Sequence, residues 1–231
     1  EGEGGSLVAA GCLDSNIWVW DVRTTRLLGV FSGHLRPVTS LFFAGSSQDS
    51  FIYSSSTDAS VRVWALSEWL QGLGENPPAV PAPMQGQRSP EYIEDNGSNG
   101  PKSMAFEPLQ PSPSAVTSLA LLPSSAHAGG SNMVLAGVKG FVSVMDAATG
   151  EQMRMLEAKT PSIFDEPDSD EPVGDVGIGA ILFDPHDAGE AGWGNEVRKG
   201  YGTIWTGSDD GVVRSWSASS WENVWVLHAA S

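Results

Sequence analysis

One cysteine, Cys12, in 231 residues rules out an intrachain disulfide and a thiolate metal cage, and suits a reducing compartment. Basic residues are scarce as well. Lys and Arg together number 12 against 28 Asp and Glu, for a net charge of −16. They are scattered singly except at Arg198-Lys199. Neutralising phosphates takes clustered Lys and Arg, so this chain alone is not expected to contact nucleic acid, and anionic membrane surfaces are disfavoured for the same reason. No run of 18 apolar residues, signal peptide or lipidation motif occurs. An intracellular location, in the cytoplasm or the nucleus, with no membrane partner, is expected. Missing too are the nucleophile elbow, the HExxH pair and the phosphate-binding loop. Gly177-Ile178-Gly179 lacks the third glycine of a dinucleotide loop and reads as strand-edge glycine. The chain is not expected to be an enzyme, and no cofactor is implied.

What is present is one pattern, written three times. Leu7 to Trp20 (LVAAGCLDSNIWVW), Phe51 to Trp64 (FIYSSSTDASVRVW) and Thr203 to Trp216 (TIWTGSDDGVVRSW) each alternate apolar and polar residues, turn on small polar residues around an Asp, and alternate again to a Trp. Such alternation is a half-buried strand, and a strand–turn–strand unit repeated through a chain is the mark of a repeat architecture. Further strands are expected at Arg26–Phe31 and Val38–Ala44. With 27 Gly and 15 Pro to punctuate short strands, the chain reads as all-β. A degenerate fourth copy runs through Val116–Leu122, Met133–Ala136 and Phe141–Val144. Met145 stands there in the place of Trp, and Val138-Lys139 in the place of the turn Asp.

The Gly33-His34 dipeptide, the turn aspartates Asp14, Asp58 and Asp210, and the repeat ends Trp20-Asp21, Trp64-Ala65 and Trp216-Ser217 resemble the WD40 (WD-repeat) family of β-propellers. Trp20 and Trp64 stand 44 residues apart, inside the family's period of about 40–45. The resemblance implies a propeller with about four recognisable blades over residues 6–231, the first lacking its innermost strand. It also implies a larger ring, commonly of about seven blades, completed by sequence beyond this chain or by another chain. The opening Glu-Gly-Glu-Gly-Gly, without an initiator Met, agrees with a piece of something longer. In the family, His, Ser/Thr, Asp and Trp form a buried hydrogen-bond chain that ties a blade together. Here the matching residues are His34, Ser54, Asp58 and Trp64. Asp14 and Trp20 match in the first repeat, and Thr206, Asp210 and Trp216 in the last, where the His is missing.

Two stretches interrupt the repeats. Residues 71–102 are rich in Pro, Gly, Asn and Ser and are expected to be a disordered insertion between a blade's third and fourth strands. Residues 157–175 form an acidic insertion, with five acidic residues in the seven from Asp165 to Glu171. Asp168 and Asp170 open like a calcium loop, but Pro172 and Val173 take positions that need a ligand and a glycine. Pro78-Ala-Val-Pro81 is a minimal PxxP, and Ser89-Pro90 and Ser112-Pro113 are minimal proline-directed phosphorylation sites. Trp20-Asp21-Val22-Arg23 resembles the WDxR box of WD-repeat receptors of cullin-4 ubiquitin ligases, which implies an exposed Arg23 that contacts the ligase adaptor. Asp21, Arg23 and Trp193, a tryptophan within a polar loop, are the candidate partner-binding residues. The function expected is a non-enzymatic protein-interaction scaffold, a subunit of a multiprotein complex. The alternatives are a ubiquitin-ligase receptor and a ribosome-assembly factor.

Overall fold

The computed structural model describes residues 6–45, 50–73, 103–106, 114–126, 131–158, 176–185 and 202–228. They form two units, divided after Phe106.

The first unit holds two antiparallel sheets. One has three strands, β1 (Leu7–Gly11), β2 (Asn16–Asp21) and β3 (Arg26–Ser32). The other has four, β4 (Val38–Gly45), β5 (Ser50–Ser56), β6 (Val61–Ala65) and β7 (Ser103–Phe106). Each strand pairs with its neighbour in sequence. The three-stranded sheet begins where the repeat would have its second strand. A helix, α1 (Leu66–Leu73), follows β6 before the chain returns as β7. Its last residues overlap the stretch from 71 that reads as an insertion in the sequence. The rest of that stretch lies outside the described residues.

Apolar residues from facing sheets make the first core: Ile17, Val19 and Phe31 meet Val38, Ile52 and Trp64. Phe31 lies between two tryptophans. The Trp64 ring is 5.5 Å away, and Trp69 of α1 meets it edge-on at 4.8 Å. Edge and tilted contacts of this kind suit the charge distribution of aromatic rings. Trp69, which fits no repeat position, is therefore a packing residue.

The second unit repeats the plan. Strands β8 (Ser118–Leu122), β9 (Met133–Val138), β10 (Phe141–Asp146) and β11 (Gln152–Glu157) make one sheet. Strands β12 (Ile178–Asp184), β13 (Thr203–Ser208), β14 (Val212–Ser217) and β15 (Asn223–His228) make the other. Leu122, Leu135 and Val144 of the first pack with Ile178, Ile204 and Trp216 of the second. The hydroxyls of Thr117 and Ser118 both donate to the carbonyl of Ile178, which pins β8 to β12. Gly137 lies under this contact. A Cβ on it would meet the Ser118 hydroxyl and stand 3.0 Å from the Ile178 carbonyl oxygen.

The β1–β2, β5–β6, β9–β10 and β13–β14 hairpins share one backbone device. Each has a residue in the left-handed region: Ser15 (φ 71°), Ala59 (φ 70°), Gly140 (φ 80°) and Gly211 (φ 75°). Glycine takes this conformation freely, whereas an L side chain is strained in it. Two of the four turns thus follow the usual chemistry and two hold it under strain.

Candidate functional site

The buried polar centre of the first unit is built from four elements. His34 comes from the loop between β3 and β4, Ser54 from β5, Asp58 from the β5–β6 turn, and Trp64 from β6. Trp64 Nε1 donates to Ser54 Oγ at 2.9 Å, and that oxygen is 2.8 Å from His34 Nε2. His34 Nδ1 is 3.0 Å from Asp58 Oδ2. An indole N–H can only donate and a carboxylate can only accept. Trp64 therefore donates to Ser54, and Nδ1–H to Asp58. The neutral imidazole with its proton on Nδ1 is the form in which every donor of the chain, the Ser54 hydroxyl included, finds an acceptor.

The Asp58 carboxylate has more partners. It accepts from the backbone N–H of Leu35 (2.8 Å), and from the hydroxyl (2.6 Å) and N–H (2.9 Å) of Ser60. Burial alone would push the Asp58 carboxyl up. The Ser60 hydroxyl, the N–H groups of Leu35 and Ser60 and the His34 ring outweigh it and hold the group at about 2. His34 is driven below its ordinary value, first by burial and then by the Arg62 charge, against the opposing pull of Asp58.

In the last sheet Trp216 Nε1 donates to Thr206 Oγ1 at 3.2 Å, in the manner of Trp64 and Ser54. Asp210 turns elsewhere. Its carboxylate accepts from Ser208 Oγ (2.7 Å) and the Val212 N–H (3.0 Å), and pairs with Arg214 Nη2 at 3.0 Å. The Arg214 side chain is 1% exposed, and its Nη1 donates to Ser208 Oγ at 2.7 Å. Sequence reasoning missed Arg214. The available signal was the absent His together with an Arg two positions before the Trp. That signal is ambiguous, because Arg62 holds the same position before Trp64 yet is only half-buried and donates to Ser103 of β7 at 2.8 Å.

The other two sheets depart further. In the three-stranded sheet Asp14 Oδ2 accepts from Trp18 Nε1 at 3.2 Å, not from Trp20. Ala10, opposite Trp18 where β5 has Ser54 opposite Arg62, offers no hydroxyl. Trp20 instead lies alongside Trp18, with ring centroids 6.3 Å apart. In the β8–β11 sheet Met145 occupies the Trp position and Ala136 the hydroxyl position; both are fully buried.

Asp21 and Arg23 sit on the β2–β3 turn. Asp21 Oδ1 accepts from the backbone N–H groups of Arg23 (2.8 Å) and Thr24 (3.0 Å). The Thr24 N–H is the main reason its carboxyl is held below the ordinary range. Asp146 makes the same turn with Ala148 and Thr149. Asp21 shapes a turn and Arg23 stands exposed upon it. Trp193, His127, His186, Asp168, Asp170, the PxxP segment, Ser89 and Ser112 lie outside the described residues. Among the described residues no three His, Cys, Asp or Glu side chains are grouped to hold a metal, and no helix is long and apolar enough to cross a membrane.

Sheets of consecutive antiparallel strands, stacked face to face and fastened by an indole–hydroxyl bond, are blades of a β-propeller. Residues 25–65, which span β3 to β6, match the family model for the WD domain, G-beta repeat, so the chain carries a WD40 repeat there. It is 42% identical over 62 residues to Protein ROOT INITIATION DEFECTIVE 3 of Arabidopsis thaliana, covering 27% of this chain and 14% of that protein. To the Periodic tryptophan protein 2 homolog of Schizosaccharomyces pombe it is 28% identical over 156 residues, covering 67% of this chain and 14% of the relative. To the Pre-mRNA-processing factor 19 of Mus musculus it is 34% identical over 59 residues, covering 26% of this chain and 11% of the relative. The chain thus spans only a small part of the length of these relatives.

Proposed function

We propose that this protein is a non-enzymatic interaction scaffold, a WD-repeat subunit of a multiprotein complex inside the cell, whose blades form part of a larger propeller ring. The observation that carries the reading is where the polar chemistry sits. His34, Ser54 and Asp58 resemble a catalytic set, but their hydrogen bonds are spent on one another and on the backbone, and the His34 side chain is 0% exposed. Such a group ties a fold and cannot meet a substrate. Recognition then falls to the turns that the blades hold in place.

The ring reading is supported by two apolar sheet faces. Val8, half-exposed, stands opposite Trp20 on one face of the three-stranded sheet. Leu182, Trp225, Val213 and Leu227 share the outer face of the β12–β15 sheet and are 40–63% exposed. Further blades stacked on these faces would bury them. The relatives' names speak of root initiation and pre-mRNA processing. What they share is the repeat. The acidic surface favours basic partners, whose encounter is faster at low salt.

The test is to purify the longest natural form of the protein from its own cells, with Arg23→Ala as a parallel bait, and to identify the co-purifying proteins by mass spectrometry. A stable set of subunits, unchanged by the substitution, is expected. Turnover dependent on His34, or the absence of any stable partner, would overturn the scaffold reading. A ligase adaptor lost with Arg23→Ala would replace it with the receptor reading.

A further inference from the structure

The two polar ties differ in one chemical respect. In the β4–β7 sheet an imidazole joins Ser54 to Asp58; in the β12–β15 sheet the Arg214 guanidinium joins Ser208 to Asp210 within the β13–β14 hairpin. An imidazole can take up a proton in mild acid, whereas the guanidinium of Arg214 has no site for one.

A second proton on His34 has nowhere to go without damage. It would sit on Nε2, facing the Ser54 hydroxyl, whose own proton now points there. Ser54 would have to accept from both Trp64 and His34, leaving its O–H as a buried donor in a site where it is 0% exposed. An unsatisfied buried donor is costly. The charged groups facing the ring are Asp58, from the β5–β6 turn, and Arg62, from β6; Ser54, Ser60 and Trp64 complete its surroundings. Asp58 favours the added proton, while burial and Arg62 oppose it.

The tie also reaches the surface. Asp58 Oδ2, the oxygen that receives His34, also accepts the N–H of Leu35. The carbonyls of Arg36 and Pro37 accept from the Ser56 hydroxyl and the Thr57 N–H. Leu35 is 84% exposed, so this buried chain fixes a loop that projects an apolar side chain into solvent.

We propose that mild acid is a selective release for the β4–β7 blade: protonation of His34 frees the Leu35–Pro37 loop, while the hairpin held by Arg214 stays closed. The sign follows from the folded imidazole lying below its ordinary 6.5. The stabilisation from neutral His34 is complete above that value and is lost as pH falls through the lower, folded one. His228, the other imidazole among the described residues, is exposed at the end of β15 and carries no such tie.

The experiment is hydrogen exchange of the full chain at about pH 7.5 and about pH 5.5, each corrected for the intrinsic exchange of an unstructured peptide. Peptides covering 33–37 and 50–65 are compared with peptides covering 203–217. Protection of the first set is expected to fall by up to about tenfold per pH unit between the ordinary imidazole value of 6.5 and the lower, folded one, and to level off below it, with the second set unchanged. His34→Gln should abolish this pH step whatever it does to overall stability. Arg214→Met should weaken 203–217 equally at both pH values. An equal change in both sets, no change in the first, or a pH step that survives His34→Gln would each overturn the proposal.

Discussion

At the scale of the residue, Asp58 has the most to lose. It accepts from His34, the Leu35 N–H and both donors of Ser60. Asp58→Ala should lower stability by about 2–4 kcal/mol, read in denaturant unfolding, because it strands several buried donors at once. Acid should reach the same residue by another route. Its folded carboxyl lies at about 2, below the ordinary 3.8. Its contribution is therefore present above 3.8 and fades as pH falls towards 2, a window below that of His34. The His34–Asp58 pair was legible from a Gly-His dipeptide and a turn aspartate at family spacing. Arg214 was not, because a single Arg before Trp reads alike whether it is half-exposed, as at Arg62, or sealed, as at Arg214. Trp18 escaped notice for a related reason: alternation places Trp18 and Trp20 on one face and does not say which reaches Asp14.

At the scale of the element, the left-handed turn residues give the sharpest test. Ala59 holds φ 70° where Gly140 and Gly211 stand in the sister hairpins. Ala59→Gly should stabilise the first unit by about 1 kcal/mol, seen as a raised melting midpoint. The opposite sign is expected at Gly137. Its alanine variant would press on Ser118 and Ile178, and β8 and β12 would have to part, at about 1–3 kcal/mol in thermal unfolding. The strands that alternation picked out, such as β3, β4 and β5, were legible to within a residue or two because alternation is a direct record of which face is buried. Helix α1 was not. Its eight residues carry Gly72 and end in a stretch whose composition reads as unstructured, and only the fit of Trp69 against Phe31 gives the segment a reason to be helical.

At the scale of the whole molecule, each unit is a pair of blades with its own core, and the repeat outlasts the chemistry that first reveals it. The β8–β11 blade has Met145, Ala136 and Val138 where the pattern has Trp, a hydroxyl and polar turn chemistry, yet it keeps four strands. Apolar packing is enough to hold a blade; polar ties add register and, at His34, a response to pH. Arg23→Ala should leave thermal unfolding unchanged within about 0.5 kcal/mol, since Arg23 stands on an exposed turn. That separates any loss of binding from a loss of fold.

The outermost strand of the second blade has a consequence for the order in which the protein assembles. Arg62 and Ser103, joined by one hydrogen bond, stand 41 positions apart, whereas β4, β5 and β6 follow one another through short turns. Closing a long excursion costs entropy before any contact repays it, and β7 repays it with only four paired residues. The β4–β6 meander is therefore expected to form first and β7 to join last. A nascent chain that has emerged only as far as α1 already contains the complete His34–Trp64 tie, so the blade can close around its polar centre while its final strand is still being made.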